Sequence, residues 1–235
     1  IKSIELSNFR NYEYLSMEFH PEKNILYGDN AQGKTNILEA LYYCGMMKSH
    51  KGSKEKEIIK LNEKEAHIRM LIEKKGVTRK IDMHLKRSKP KGVAIDGIPI
   101  RRSSELIGLV NIVFFSPEDL GIIKHGPSGR RRFLDMELCQ LDRVYYHDLA
   151  KYNKVMEQRN NLLKQITYDQ SLLPTLDIWD EQLVEYGCRI IRRREKHMEQ
   201  LNEVIASIHH KLSGGKEKLV LGCEFSTSVS SFRTM

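Results

Sequence analysis

Apolar and polar residues alternate from the beginning of the chain. Ile4 and Leu6 are interleaved with Ser3, Glu5 and Ser7, the period-two pattern of a half-buried strand. A polar turn at 8–11 leads into a second alternation through Tyr14, Leu15, Ser16, Met17, Glu18 and Phe19. Pro21 and Asn24 mark another turn, after which Asn24, Ile25, Leu26 and Tyr27 predict a short apolar strand. From Lys34 the period lengthens. Ile37, Leu38, Ala40, Leu41 and Cys44 stand at 3/4 spacing, which predicts a helix with one buried face. Farther on, Ala66, Ile68, Met70 and Ile72 alternate, Lys75-Gly76 supplies a turn and 77–85 a return strand. Asp96-Gly97, between two short apolar runs, is a hairpin signal. The run NIVFF at 111–115 predicts a buried strand that ends at Ser116-Pro117.

Two long helical stripes dominate the rest. Leu138, Leu141, Tyr145, Leu149, Tyr152, Met156, Leu162, Leu163 and Ile166 form the first. After a break at Leu173-Pro174, with Thr175 a candidate cap, Leu183, Ile190, Met198, Leu201, Val204, Ile205, Ile208 and Leu212 form the second. Such stripes are core faces, and two of them around a short break predict an antiparallel helical hairpin. Residues 219–225 (LVLGCEF) predict a strand, and 226–235 are polar, serine-rich and expected to pack poorly.

Composition narrows the class. The 235 residues are 40% hydrophobic and 30% charged, an ordinary globular balance for one large or two small domains. No apolar run approaches the roughly 18–20 residues that span a bilayer, and IKSIELSNFR lacks a leader pattern. Cys44, Cys139, Cys188 and Cys223 are isolated, with no C-x-x-C pair, which speaks against a zinc site and for reduced cysteines in the cytoplasm. The net charge of +8 favours a polyanionic partner, nucleic acid before membrane. Basic residues cluster at 48–60, 74–91, 130–132 and 189–196. Counterion release makes such contacts independent of base sequence and sensitive to salt. Lys86, Arg87, Lys89, Lys91, Arg130, Arg131 and Arg132 are the candidate DNA contacts; a solvated basic face is the competing explanation. Arg192, Arg193 and Arg194 lie on a helix within reach of Glu195 or Glu199.

The chemistry concentrates at 28–35. Gly28-Asp29-Asn30-Ala31-Gln32-Gly33-Lys34-Thr35 fits G-x-x-x-x-G-K-[ST] between a predicted strand and a predicted helix, the setting a phosphate loop requires. Glycines let successive backbone N–H groups turn inward onto phosphate oxygens, Lys34 supplies positive charge for the β- and γ-phosphates, and the Thr35 hydroxyl is the expected Mg²⁺ ligand. The N-terminus of the following helix adds its partial positive charge. Hydrolysis needs a second element, an apolar strand running into acid. None is convincing: 111–115 ends in Ser-Pro, and 219–225 carries Glu224 beside Gly222 and Cys223. An N-K-x-D base-reading motif is absent too, which argues against a GTPase, and no lid or acceptor site suggests a small-molecule kinase. Leu212-Ser213-Gly214-Gly215 mimics the LSGG signature of ABC-type ATPases, but a glycine cap on a helix C-terminus explains it better.

Phe9-Arg10-Asn11-Tyr12, GDNAQGKTNILEALYY at 28–43, FSPEDLGIIKHGPSGRRRFLD at 115–135 and WDEQLVEYG at 179–187 together resemble the bacterial RecF family, along the whole chain. The resemblance implies an α/β fold: an ABC/SMC-like P-loop ATPase head, a mixed sheet plus an antiparallel sheet, with an inserted helical-hairpin lobe. Expected domains are 1–134 (ATP-binding lobe), 135–212 (hairpin lobe) and 213–235 (return strand and polar tail). It implies ATP and Mg²⁺ on Gly28 through Thr35, ATP-dependent homodimerisation, binding to gapped or double-stranded DNA, RecR and RecO as partners, and help in loading RecA. It also places Arg10 where SMC-like heads send an arginine to the nucleotide, a surface arginine in a polar turn being the alternative. Ser116–Asp119 falls where related heads carry a Mg²⁺-sensing glutamine; Glu118 or Asp119 would stand in. The family's acidic strand and signature belong to its last third, so the chain reads as the first two-thirds of such a protein. The expected function is an ATP-gated DNA-binding protein of recombinational repair and a weak ATPase when complete. The alternatives are a nucleotide- or partner-binding fragment without hydrolysis, or another SMC-like repair ATPase head.

Overall fold

The strands predicted from alternation pair into one six-stranded sheet, ordered β2-β1-β3-β4-β5-β6. They are β1 (Ser3–Phe9), β2 (Tyr12–Glu18), β3 (Glu65–Lys74), β4 (Val77–Lys86), β5 (Gly92–Ile95) and β6 (Ile98–Pro99), each antiparallel to its neighbours. The computed structural model describes residues 1–124 and 126–223. Glu224 and the polar segment 226–235 lie outside the described residues, as does the side chain of Glu118.

Register follows from which face is buried. Leu6, Ile68, Met83 and Val93 stand in one row across β1, β3, β4 and β5, and all are buried. A slip of one residue would turn every such row into solvent. Both tight turns use left-handed residues, Lys75-Gly76 and Asp96-Gly97, as two-residue hairpins require. Helix α1 (Lys34–Met46) closes the buried face with Ile37, Ala40, Tyr43 and Cys44. Burial pushes the Cys44 thiol well above its ordinary range, so it is an inert core residue. A one-turn helix, α2 (Glu55–Ile58), adds Ile58 to the same core.

Two expected strands in the first half of the chain do not form. Residues 24–27 and 111–115 are not strands of the sheet, and Tyr27 and Val113 are 89% and 92% exposed. Their apolar content marks them as buried strands, but a strand also needs neighbours to take its backbone hydrogen bonds. None of the six described strands runs beside them. The mixed part of the expected sheet is therefore not assembled among the described residues.

Two compact units divide after Asp119. The expected boundary was 134/135, but residues 120–134 fall in the second unit. There α3 (Gly121–Lys124) and α4 (Pro127–Leu141) lead to α5 (Arg143–Ile166) and α6 (Leu176–Leu212). Leu134, Leu138, Tyr145 and Ile190 share one small core, which draws α4 into the helical unit. The single stripe expected from Leu138 to Ile166 is broken at Asp142. Its carboxylate accepts the amides of Val144 (2.8 Å) and Tyr145 (3.1 Å) and so caps a new helix.

α5 and α6 run antiparallel, as the proline break predicts. Arg159 pairs with Asp180 near the turn, and Arg194 meets Tyr145 near the far end. Arg193 and Arg194 of α6 pair with carboxylates of α4, α5 and the α5 cap and not with Glu195 or Glu199. Arg193 binds Asp142 (2.7 Å) and the buried Asp148 (2.8 Å), and Arg194 binds Asp135 (2.5 Å). Beyond this clamp, among the described residues, Val204, Ile208 and Leu212 of α6 are half or more exposed. The helix ends at Leu212, with Gly214 and Gly215 left-handed and the Gly215 amide donating to the His210 carbonyl (2.9 Å). The SGG stretch closes a helix, as a cap does, and does not open one. Residues 219–223 form no strand; Asn202 instead binds both backbone groups of Leu221 (2.7 and 2.8 Å) through its side-chain amide.

Candidate nucleotide site and basic surfaces

The loop 28–33 joins the extended segment 23–27 to α1, and the glycines carry its curvature. Gly28 and Gly33 have φ of 136° and 97°, and Ala31 is left-handed at 64°. Gly33 also has a steric role. A β-carbon there would lie 2.6 Å from the Asn11 side-chain amide and 2.9 Å from the Tyr12 hydroxyl. These two groups hold the loop from the β1–β2 turn: the Asn11 Nδ2 and the Tyr12 hydroxyl donate to the Gln32 carbonyl (3.2 and 3.4 Å). Asn36 on α1 donates to Asn11 Oδ1 (2.8 Å), completing the brace. Gly33→Ala is therefore expected to cost about 1–2 kcal/mol from the left-handed backbone alone. It should also weaken nucleotide binding at least about tenfold, since the brace must shift. A urea melt and an ATP titration on the same variant measure the two effects.

Lys34 sits at the first position of α1 and arches over the loop, its Nζ donating to the carbonyls of Gly28 and Asp29 (both 2.6 Å). The helix has no side-chain cap at its N-terminus. Its leading amides and the Lys34 ammonium thus surround an open, solvent-facing cradle of donors, a shape and charge suited to a phosphate chain. Thr35 is exposed at the same rim.

Arg10 is placed differently from either expectation. It occupies the left-handed region (φ 53°), uncommon for so large a side chain. Its guanidinium forms a fork on Glu39 of α1 (2.8 and 2.6 Å) and donates to Ser53 Oγ (2.8 Å) and the Glu57 carbonyl (2.9 Å). Glu39 is fully buried. Burial pushes its carboxyl upward, but hydrogen bonds from Arg10 and Ser49 outweigh that and hold it below the ordinary carboxylate range. Arg10 thus anchors the helix that carries Lys34 and Thr35, a role the sequence pattern does not signal because Glu39 lies 29 residues away. Asp119 bonds the amide and hydroxyl of Ser116 (2.6 and 3.1 Å) and so caps its own turn.

The basic candidates separate by their partners. Lys91 is half-buried; its ammonium binds Glu55 (2.6 Å), the Met47 carbonyl (2.8 Å) and the Tyr43 hydroxyl (3.1 Å). Arg87 donates to the carbonyls of Glu63 (2.6 Å), Lys60 (3.1 Å) and Ile59 (3.4 Å). Both are committed to holding unit 1 together. Lys86 ends β4 and Lys89 lies exposed on the following turn. Arg130, Arg131 and Arg132 are on the first turns of α4 in the other unit, and all three are exposed.

A phosphate loop of this build, on a sheet-and-helix unit, defines a P-loop nucleotide-binding protein. The chain belongs to the AAA domain family, whose pattern matches residues 3–213. Within that class it is similar to "DNA replication and repair protein RecF" of Lachnoclostridium phytofermentans, 63% identical over 232 residues, which are 99% of this chain and 64% of that protein. The same relationship holds in three dimensions. The structure of the recombination mediator RecF with ATP superposes with a TM-score of 0.91 at 36% identity, over 99% of this chain and 64% of the other. The Smc head domain of Pyrococcus furiosus matches at a TM-score of 0.50 and 18% identity over 91% of this chain and 65% of that one, a likeness of fold alone. The expected RecF resemblance and ATPase-head fold are borne out, and the chain spans about 64% of the length of the RecF proteins it matches.

Among the described residues no helix is long and apolar enough to cross a membrane.

Proposed function

We propose that the chain is the nucleotide-gripping part of an ATP-gated DNA-binding protein of recombinational repair, working at gaps or duplex DNA with RecR and RecO and helping RecA to load. The observation that carries this reading is the braced loop with Lys34 at its centre, opening an uncapped helix N-terminus to solvent. The loop amides and Lys34 would hold the β- and γ-phosphates of ATP. Thr35 would hold Mg²⁺, which supplies charge neutralisation between those phosphates. Arg10 would join the nucleotide only on leaving Glu39; otherwise it acts through the position of α1. ATP-dependent homodimerisation and a cytoplasmic setting belong to the same proposal.

No apolar strand running into paired acids occurs in the 235 residues. Gripping without cutting follows: the chain binds Mg²⁺-ATP and turns over essentially none. Calorimetric titration with ATP, paired with a phosphate-release assay, tests this. Binding without release is expected, and absence of binding would overturn the reading.

The DNA contacts fall on Lys86, Lys89 and the triplet Arg130, Arg131 and Arg132, with Arg87 and Lys91 contributing through unit 1. Removing one cation from a DNA phosphate reduces the salt dependence of binding by about one unit of slope. Replacing the arginine triplet by alanine should therefore lower the slope of log affinity against log salt by about 2–3 and weaken all DNA sequences alike. Fluorescence anisotropy across a salt series reads both, and an unchanged slope removes the triplet from the interface.

A further inference from the structure

The solvent-facing side of the sheet carries a second constellation of chemistry, away from the phosphate loop. His67 on β3 and His84 on β4 are direct cross-strand partners, with rings stacked at 4.0 Å between centroids. Glu65, two residues before His67, projects from the same face, as strand periodicity requires. Its carboxylate accepts from or faces both rings, 2.9 Å from His84 Nε2 and 3.8 Å from His67 Nε2. One ligand atom from each of the three lies within 4.8 Å of the other two. A tetrahedral zinc site with nitrogen and oxygen bonds of about 2.0–2.2 Å sets its ligand atoms about 3.3 Å apart. Side-chain torsions alone can close that difference, because all three groups are at least partly exposed.

We propose that Glu65, His67 and His84 form a binding site for a zinc-like divalent cation that ties β3 to β4. Two imidazoles and one carboxylate are the donor set that borderline cations prefer, and Mg²⁺ or Ca²⁺ would want more oxygen. The surroundings leave room for the ion. Gly92 on β5 stands opposite His84 with no side chain above it, and a depression of about 440 Å³ runs along this face past Ser7, Arg69 and Asp82. A fourth coordination position faces that depression and is open to water or an anionic group. The nearby guanidinium of Arg69 is neutralised by Asp82 (2.7 Å) and Glu5 (3.2 Å). Lys86, directly opposite Glu65, is the cation that works against the site.

Zinc titration of the nucleotide-free chain, by calorimetry and by competition with a chromogenic chelator, tests the proposal. One equivalent is expected to bind, and His67→Ala or His84→Ala should each weaken it at least about tenfold. His20→Ala, at an exposed turn elsewhere, should leave it unchanged. Zinc should raise the melting temperature of the wild-type chain and EDTA should reverse the shift, while the His67→Ala/His84→Ala double variant shows neither. Far-UV circular dichroism checks that the variants fold, and because His67 is exposed and His84 partly so, they should. Equal zinc affinity in the double variant, or no stoichiometric binding by the wild type, overturns the site.

Discussion

Replacing Arg10 by alanine is expected to destabilise the chain by about 3–5 kcal/mol, because it leaves a buried carboxylate without its partner. Glu39 is fully buried and its two oxygens are shared between Arg10 and Ser49. With the guanidinium gone, the Ser49 hydroxyl and the weaker electrostatic influence of His50 are left to compensate the charge. Arg10→Lys should recover part of the loss only, since an ammonium cannot reproduce the planar fork on the carboxylate or reach Ser53 and Glu57 together. The effect has a pH signature. In the native chain the Glu39 carboxyl is held below its ordinary range, so it adds stability above the unfolded-state value near 4.3, and this is lost as pH falls through the lower, folded value. In Arg10→Ala, burial dominates and the carboxyl rises, so the variant gains from protonation where the native chain loses. The stability gap should therefore be widest near neutrality and shrink as pH falls toward about 4. Urea midpoints measured across that range would show it; a pH-independent gap would mean that Arg10 acts by packing, not by charge.

Lys34→Met should reduce ATP affinity about 100-fold, the loss of charge-assisted bonds worth roughly 2–3 kcal/mol, while leaving the melting temperature of the nucleotide-free chain nearly unchanged. The split between the two readouts follows from where the ammonium sits. Its partners, the carbonyls of Gly28 and Asp29, are exposed and return to water when the lysine is removed. A phosphate chain in the cradle has no such substitute. Affinity reduced by less than about threefold would take Lys34 out of the nucleotide contact. Comparison with Arg10→Ala then separates the two halves of the site: one residue binds the ligand, the other holds the helix that presents it.

Local pattern accounts for much of this molecule. Period-two alternation locates β1 and β3, and Lys75-Gly76 and Asp96-Gly97 specify the turns through backbone conformations that few residues adopt. The phosphate loop is legible because its residue types are dictated by a covalently local geometry: glycines at 28 and 33, then Lys34 and Thr35 within one turn of helix. The helical hairpin is legible for the same reason, its stripes being a property of one helix at a time.

What local pattern misses is any relation between distant residues. Tyr27 and Val113 read as buried because they are apolar, yet burial belongs to a pair of surfaces, and no described strand runs beside either segment. Asp142 escapes notice because a cap breaks a stripe without changing its apolar period. Lys91 and Arg87 read as charge on a turn, whereas Glu55 and the 59–63 carbonyls lie against them in space. A search for paired cysteines cannot see His67 and His84, 17 positions apart, which sheet register makes neighbours. The chain order alone determines which residues can grip a phosphate; folding determines which charges are committed to the fold itself, because ion pairs and metal sites depend on distances in space that no spacing along the chain encodes.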